Sequence, residues 1–229
     1  MKRVILLTAT VRPSVFSKGI GSSEERLKEY LQAIQFYFDR TVYPIVIVDN
    51  SNFDFSGLLP SSSRLESLSY QGIDIGRGKG WGECDILKYA LRHSILLRDV
   101  DQIIKITGRL IVNNINQILS VCNDPTAIYA DADLKLTYVH SYFFCCSRPF
   151  LEIALFPRHE QMYDKKGVHF EHVLGSAIRS CLDEYKYHEI KYPIYLIGHA
   201  GSSKENYKKP SLTRFLLIFI KYIINEVRL

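Results

Sequence analysis

Four consecutive apolar residues, Val4 to Leu7, stand near the start of the chain and give way to the polar run that begins at Thr8. A short continuous apolar run bounded by polar residues is the pattern of a strand buried on both faces of a sheet. The pattern returns at Ile45-Val46-Ile47-Val48, which ends in Asp49-Asn50-Ser51, and at Gln102 to Ile106. Further strand-like runs cover Leu65 to Tyr70, Thr126 to Ala130 and Pro193 to Ile197, with a β-rich stretch from Thr137 to Cys146. Between them the period changes to that of a helix. Leu27, Tyr30, Leu31, Ile34 and Phe38 follow Ser22-Ser23-Glu24-Glu25, whose spacing is that of a capping box, and together they predict a helix over 23–39. Ile86, Leu87, Ala90, Leu91 and Ile95 predict a second, fed by the glycine-rich segment Gly72 to Gly82. Others are expected to begin near Asn113 and to run from about His169 to Glu184. Strands alternating with helices predict an α/β fold whose sheet is mostly parallel, in one domain over 1–207.

Composition adds limits. A chain of 229 residues with 47% hydrophobic content can bury a full core, and no linker, repeat or low-complexity segment divides it. Five cysteines (Cys84, Cys122, Cys145, Cys146, Cys181) without C-x-x-C spacing read as reduced, buried thiols of a cytosolic protein. The apolar run after Met1-Lys2-Arg3 is too brief for a secretory signal. The net charge of +5 is too small to suggest a nucleic-acid partner, and most of it lies between Lys204 and Leu229, where six basic residues face two acidic ones. That tail, 208–229, reads as a basic amphipathic helix. At 100° per residue, Arg214, Lys221, Asn225 and Arg228 fall within about 60° of one another, and apolar residues cover most of the remainder. The run Phe215 to Ile220 is too short to span a bilayer, so the expectation is a helix lying on an anionic membrane surface or packed against protein.

In an open α/β sheet ligands collect beyond the carboxyl ends of the strands, so polar residues just after strands are the first suspects. They are Thr8, Thr10 and Arg12 after the first strand, Asp49 and Asn50 after the second, and Thr107, Gly108 and Arg109 after the central one. Asp49 suits hydrogen bonds from a base or ribose, or closes an ordinary Asx turn. The loop Gly76-Arg77-Gly78-Lys79-Gly80-Trp81-Gly82-Glu83 sets glycines and two cations before a helix, which suits a diphosphate through exposed amides, the helix dipole and Lys79. It lacks the Walker spacing. Strand alternation sends Lys105 and Thr107 to one face with Arg109 beyond, and such groups in a buried strand call for a ligand or an acidic partner. Asp131-Ala132-Asp133, placed after its strand, has the D-x-D spacing of a divalent-cation site or makes a solvated turn. Glu171 opens a helix after the loop holding Asp164, Lys165 and Lys166, and either Glu171 or, behind it, Asp164 is a candidate base. Gly198-His199-Ala200-Gly201-Ser202-Ser203-Lys204 gathers donors suited to phosphate oxygens.

In their order along the chain, Leu7-Thr8-Ala9-Thr10, Ile47-Val48-Asp49-Asn50-Ser51, Gly78-Lys79-Gly80-Trp81-Gly82-Glu83, Lys105-Ile106-Thr107-Gly108-Arg109, Glu171-His172 and Gly198 to Lys204 resemble bacterial GT-A glycosyltransferases of capsule, lipopolysaccharide and O-antigen loci. The resemblance covers most of residues 3–207 and rests on order more than on any one motif. It implies a Rossmann-like sheet and transfer of a sugar from a nucleoside-diphosphate donor, UDP first among them, to a glycan or lipid-linked acceptor. The setting it implies is the cytoplasmic face of the membrane. It places Asp49 at the nucleobase, and His199 and Lys204, with Ser202 nearby, at the diphosphate. One departure stands out. The family's metal-binding D-x-D closes the strand that here ends in Thr107-Gly108-Arg109. Either Lys105 and Arg109 replace the metal, the version favoured, or Asp131 and Asp133 bind manganese or magnesium from a neighbouring strand end. Two alternatives remain beside this one. A sugar-nucleotide nucleotidyltransferase is expected to carry a glycine-rich basic loop where this chain has Thr8-Ala9-Thr10-Val11-Arg12-Pro13, and a membrane-associated binding protein would keep the fold without turnover.

Overall fold

Both faces of the first strand are covered. In the computed structural model β1 (Arg3–Ala9) is buried along its whole length, as a parallel strand between two helical layers must be. The structure describes residues 1–13, 21–73 and 76–199, together with 207, 216, 218 and 220. After β1 come α1 (Ser23–Arg40), β2 (Ile45–Asp49), β3 (Leu65–Ser69), α2 (Lys79–His93), β4 (Gln102–Thr107), β5 (Ile111–Val112), α3 (Ile115–Leu119), β6 (Ile128–Ala132) and β7 (Val139–Cys146). A π-helical turn, Phe150–Leu155, and two 3-10 turns, Phe156–Gln161 and Asp164–Lys166, lead to α4 (Phe170–Arg179), β8 (Tyr187–Glu189) and β9 (Leu196–Ile197).

Seven strands form one sheet in the order β3-β2-β1-β4-β7-β6-β8. All its pairings are parallel except those of β7 with β4 and β6, so β1, β2, β3, β4, β6 and β8 share one direction. Alternation along the strands splits the core in two. Ile5, Leu7, Ile45, Ile47, Ile104 and Ile106 face α1 and α3, while Val4, Leu6, Val46, Val48, Ile103 and Phe144 face α2 and α4. The result is the α/β architecture of a mostly parallel sheet flanked by helices.

Local chemistry fixes the ends that matter. Ser22 caps α1 by accepting the Glu25 amide, and the Glu25 carboxylate accepts the Ser22 amide, which is the expected capping box. The Tyr37 hydroxyl, buried beneath α1, donates to the Leu110 carbonyl and accepts the Val112 amide, both at 2.8 Å. It thereby ties the segment after β4 to the helix.

Several sequence expectations shift. Asp131 lies inside β6 and not after it, because the strand continues to Ala132 and the Tyr142 hydroxyl on β7 satisfies the carboxylate. The last long helix stops at Arg179, and the helix expected near Asn113 is only the short α3. Of Pro193 to Ile197 only Leu196–Ile197 is a strand, paired with β5 outside the main sheet. In the predicted tail helix, Leu216, Ile218 and Ile220 are helical, with Ile218 buried and the other two exposed; the rest of 208–229 lies outside the described residues. No helix among the described residues is long and apolar enough to cross a membrane.

Candidate active site

The chain runs outward from β1 to β2 and β3, then returns to place β4 on the other side of β1. The carboxyl ends of β1 and β4 are therefore the point where the winding reverses, the place at which an open α/β sheet offers a ligand site. Gly108 makes the close approach of the two strand ends possible. Its amide donates to the Thr8 carbonyl at 2.9 Å, and a Cβ there would lie 2.7 Å from that oxygen.

Lys105 is fully buried on β4. Its ammonium donates to the Glu83 carboxylate of α2, to the Ser141 carbonyl of β7 and, at 3.4 Å, to the Thr107 hydroxyl. Three donors meet three protein acceptors, with the rings of Phe144 and Phe170 against the ammonium at 5.7 and 5.8 Å. The strand cation thus has the acidic partner that its burial requires. Glu171, in the first turn of α4, accepts the Ser141 hydroxyl at 2.7 Å. Burial raises the Glu83 carboxyl above its ordinary value; Lys105 opposes that shift, Glu171 adds to it, and the Thr8 side chain hydrogen-bonds the carboxyl. Thr8, Glu83, Lys105, Thr107, Ser141 and Glu171 therefore form one connected group drawn from β1, α2, β4, β7 and α4.

This raised carboxyl has a measurable consequence. A folded pKa above the unfolded one stabilises the protein fully below the ordinary glutamate value, and that stabilisation is lost as pH rises through the raised value. Glu83→Gln is therefore expected to gain stability relative to the parent across that window and to hold a constant offset above it. Denaturant unfolding across a pH series checks this; a flat difference would mean that Glu83 ionises normally.

Beyond the ends of β1 and β4 stands a second group. The Arg109 guanidinium pairs with Glu29 of α1 at 3.5 Å, and His199 meets the other oxygen of the same carboxylate at 2.6 Å. Arg26, also on α1, donates twice to the Thr10 carbonyl, at 2.8 and 2.6 Å. Lys79 lies close enough to both arginines that, after partial burial, Arg109 and then Arg26 depress its pKa, with Asp164 acting in the opposite sense.

Asp49 is fully buried. One carboxylate oxygen accepts the Ser51 amide and hydroxyl, both at 2.7 Å, and the Phe53 amide at 3.0 Å; the other accepts the Val11 amide at 2.7 Å. It joins the loops after β1 and β2, and the bond to the Ser51 amide closes an Asx turn. Asn50 accepts the Thr10 hydroxyl at 2.7 Å. At the glycine-rich loop, Gly78 has φ of +105°, and a Cβ on it would lie 2.3 Å from an Asp164 oxygen. That carboxylate accepts the Lys79 amide at 2.7 Å and contacts the His169 ring at 3.2 Å. It caps α2 at the amides that the sequence offers to a diphosphate. Asp131 accepts the Tyr142 hydroxyl at 2.5 Å, and Asp133 accepts the amides of Thr137 and Tyr138 in the turn before β7. Ser202 and Lys204 lie outside the described residues.

No protein-family model matches the sequence, and no curated protein does. Among solved structures, the mannosyltransferase Ktr4p from S. cerevisiae aligns over 83% of this chain and 68% of its own, at 10% identity and a TM-score of 0.44. A putative nucleotide-diphospho-sugar transferase from Desulfovibrio desulfuricans G20 aligns over 82% and 80%, at 10% identity and a TM-score of 0.46. Core-mannan synthase A from Aspergillus fumigatus, in an Mn/GDP form, aligns over 83% and 73%, at 9% identity and a TM-score of 0.45.

A divalent cation does not fit the end of β4. An ion there would face Arg109 with no carboxylate supplied by Thr107-Gly108-Arg109, and Glu83 is already neutralised by Lys105. Arg26, Glu29 and Ser141 belong to the site although no sequence motif marks them. On α1 the first two read as the polar stripe of an amphipathic helix, and only their spacing of three residues, which sets them on one side, hints at a shared task.

Proposed function

We propose that this protein transfers a sugar from a nucleoside-diphosphate sugar to an acceptor hydroxyl. The observation that carries the reading is the pair of buried guanidiniums just beyond β1 and β4, Arg26 on the Thr10 carbonyl and Arg109 on Glu29, with Lys79 at the start of α2. Cations held at one end of a sheet suit an anionic ligand such as a diphosphate. As the bond from the anomeric carbon to the diphosphate oxygen breaks, negative charge builds on the leaving group, and cations fixed beforehand lower the barrier. The acceptor oxygen forms the new bond to that carbon and loses its proton to a carboxylate. Glu171 fills that role, oriented by the Ser141 hydroxyl. The nucleoside is a uridine first among those to be tried, and the acceptor is a glycan or lipid-linked sugar of surface polysaccharide synthesis, both on the sequence resemblance.

Isothermal titration with UDP and GDP, with and without manganese, tests the reading. One of them is expected to bind, and Arg109→Ala to weaken it about tenfold or more, the worth of a charge-assisted hydrogen bond. Asp131→Ala is expected to leave the affinity within about twofold, given that its carboxylate serves Tyr142. Absence of heat with every common nucleoside diphosphate would sink the reading.

A further inference from the structure

The two aspartates of Asp131-Ala132-Asp133 each hold a tyrosine. Asp131 accepts the Tyr142 hydroxyl, and Asp133 takes the amides of Thr137 and Tyr138 together with the Thr137 hydroxyl. His140 sits between these tyrosines, stacked on Tyr142 with ring centroids 4.8 Å apart and edge-on to Tyr138 at 5.4 Å. His172 of α4 adds a second edge to Tyr138 at 5.3 Å, and Tyr207 stands edge-on to Tyr142 at 6.3 Å. These rings form a continuous chain of aromatic contacts that is buried at Tyr142 and reaches the surface at Tyr138, which is 36% exposed.

The surface is held firmly. The Arg179 guanidinium donates to the Leu136 carbonyl in the turn between β6 and β7. Gly175 packs against the same carbonyl, so closely that a Cβ would lie 2.3 Å from it. The turn and α4 therefore move together, and α4 carries Glu171. Ser141, the hydrogen-bond donor to Glu171, alternates with His140 and Tyr142 along β7 and points to the α4 side of the sheet, which leaves Tyr138 and His172 as the rings on the side of the carboxylate. His172, whose ring meets Tyr138, follows Glu171 in the first turn of α4, so ring and carboxylate stand at the same end of that helix.

We propose that this aromatic surface is the acceptor subsite and that it receives a neutral pyranose, which rests on the transferase reading given above. A pyranose presents a face of C–H bonds and a rim of hydroxyls. Aromatic rings cover the first, while tyrosine and histidine tips hydrogen-bond the second. The charges also differ between the two sides of this end of the sheet. Arg26, Lys79 and Arg109 lie on the β1 and β4 side and suit an anion, whereas Glu171 and Asp131 flank the rings and disfavour one. A sugar seated on Tyr138 brings a hydroxyl toward Glu171, and the D-x-D aspartates act as positioning residues for the rings.

Saturation-transfer NMR on the full chain, saturated with UDP and supplied with the methyl pyranosides of glucose, galactose and mannose, tests this. Titration of the nucleotide into the same sample tests the underlying reading separately. The C–H protons of at least one pyranoside are expected to receive saturation. Tyr138→Leu is expected to lower that signal about fivefold and the ring-conserving Tyr138→Phe to keep it. Tyr89→Ala, outside this surface, is expected to match the parent. If thermal melting shows that Tyr138→Leu does not fold, His172→Leu takes its place with the same expectation. Nucleotide binding without pyranoside saturation, or parental signal in the folded leucine variant, would overturn the proposal.

Discussion

Lys105→Met is expected to destabilise the fold by about 3 kcal/mol and to cut transfer about tenfold to hundredfold. The substitution keeps the length of the side chain and removes the ammonium that Glu83, Ser141 and Thr107 share. Glu83 would then lie buried beside Glu171 without a counter-ion and would be driven to take up a proton, and breaking a buried ion pair from one side in this way is costly. The Glu83 side chain retains 19% of its exposure, which brings the estimate to the low end of the range. Activity falls by a different route. With no ammonium on the Ser141 carbonyl, the end of β7 that aims the Ser141 hydroxyl at Glu171 loses its side-chain tie to β4 beyond the ladder that ends at Ile106 and Phe143. Urea unfolding and initial rates together separate the two effects, because the double variant Lys105→Met, Glu83→Gln removes the orphaned carboxyl. It is expected to recover most of the stability and little of the rate. A single variant as stable as the parent would show that the pair is not what holds α2 to β4.

What the sequence shows well is what neighbouring residues decide. β1 and β2 are built on continuous apolar runs, β4 on one interrupted only by Lys105, and α1 carries its own capping box, so each stands close to its expected bounds. β8 was invisible because Tyr187-His188-Glu189 has no apolar run; it is a strand because Ile128, Tyr129 and Ala130 offer it an edge to pair with. Asp131 read as a residue beyond its strand because nothing near it in sequence announces the Tyr142 hydroxyl across the sheet. Of the candidate site, Lys105, Thr107, Arg109, Glu83 and Glu171 were legible as polar groups at strand ends and helix starts. Their pairing was not. Which carboxylate meets which cation depends on how α1, α2 and α4 settle on the sheet, and Glu29 and Ser141 acquire their part only through that packing. Asp164 shows the limit from the other side. A candidate base by its loop, it spends its carboxylate on capping α2.

That distinction between the two carboxylates leads to the second large effect. Glu171→Gln is expected to lower kcat by about 100- to 10,000-fold, the usual worth of a positioned general base, with little change in the affinity for nucleoside diphosphate. Glutamine keeps the size of the side chain and can still accept the Ser141 hydroxyl, so the helix and its neighbours need not rearrange. What it cannot do is take a proton. Asp164→Asn is the informative comparison. Its oxygens face the Lys79 amide and the His169 ring, and the missing Cβ of Gly78 makes room for them. Loss of the charge there weakens a helix cap by about 1 kcal/mol and is expected to lower the rate by less than tenfold. Rates at saturating donor and acceptor, with nucleotide affinity measured on the same preparations, decide between them. A Glu171→Gln enzyme within threefold of the parent, beside an inactive Asp164→Asn, would move the base to the loop before α4 and leave Glu171 as a partner of Ser141 only.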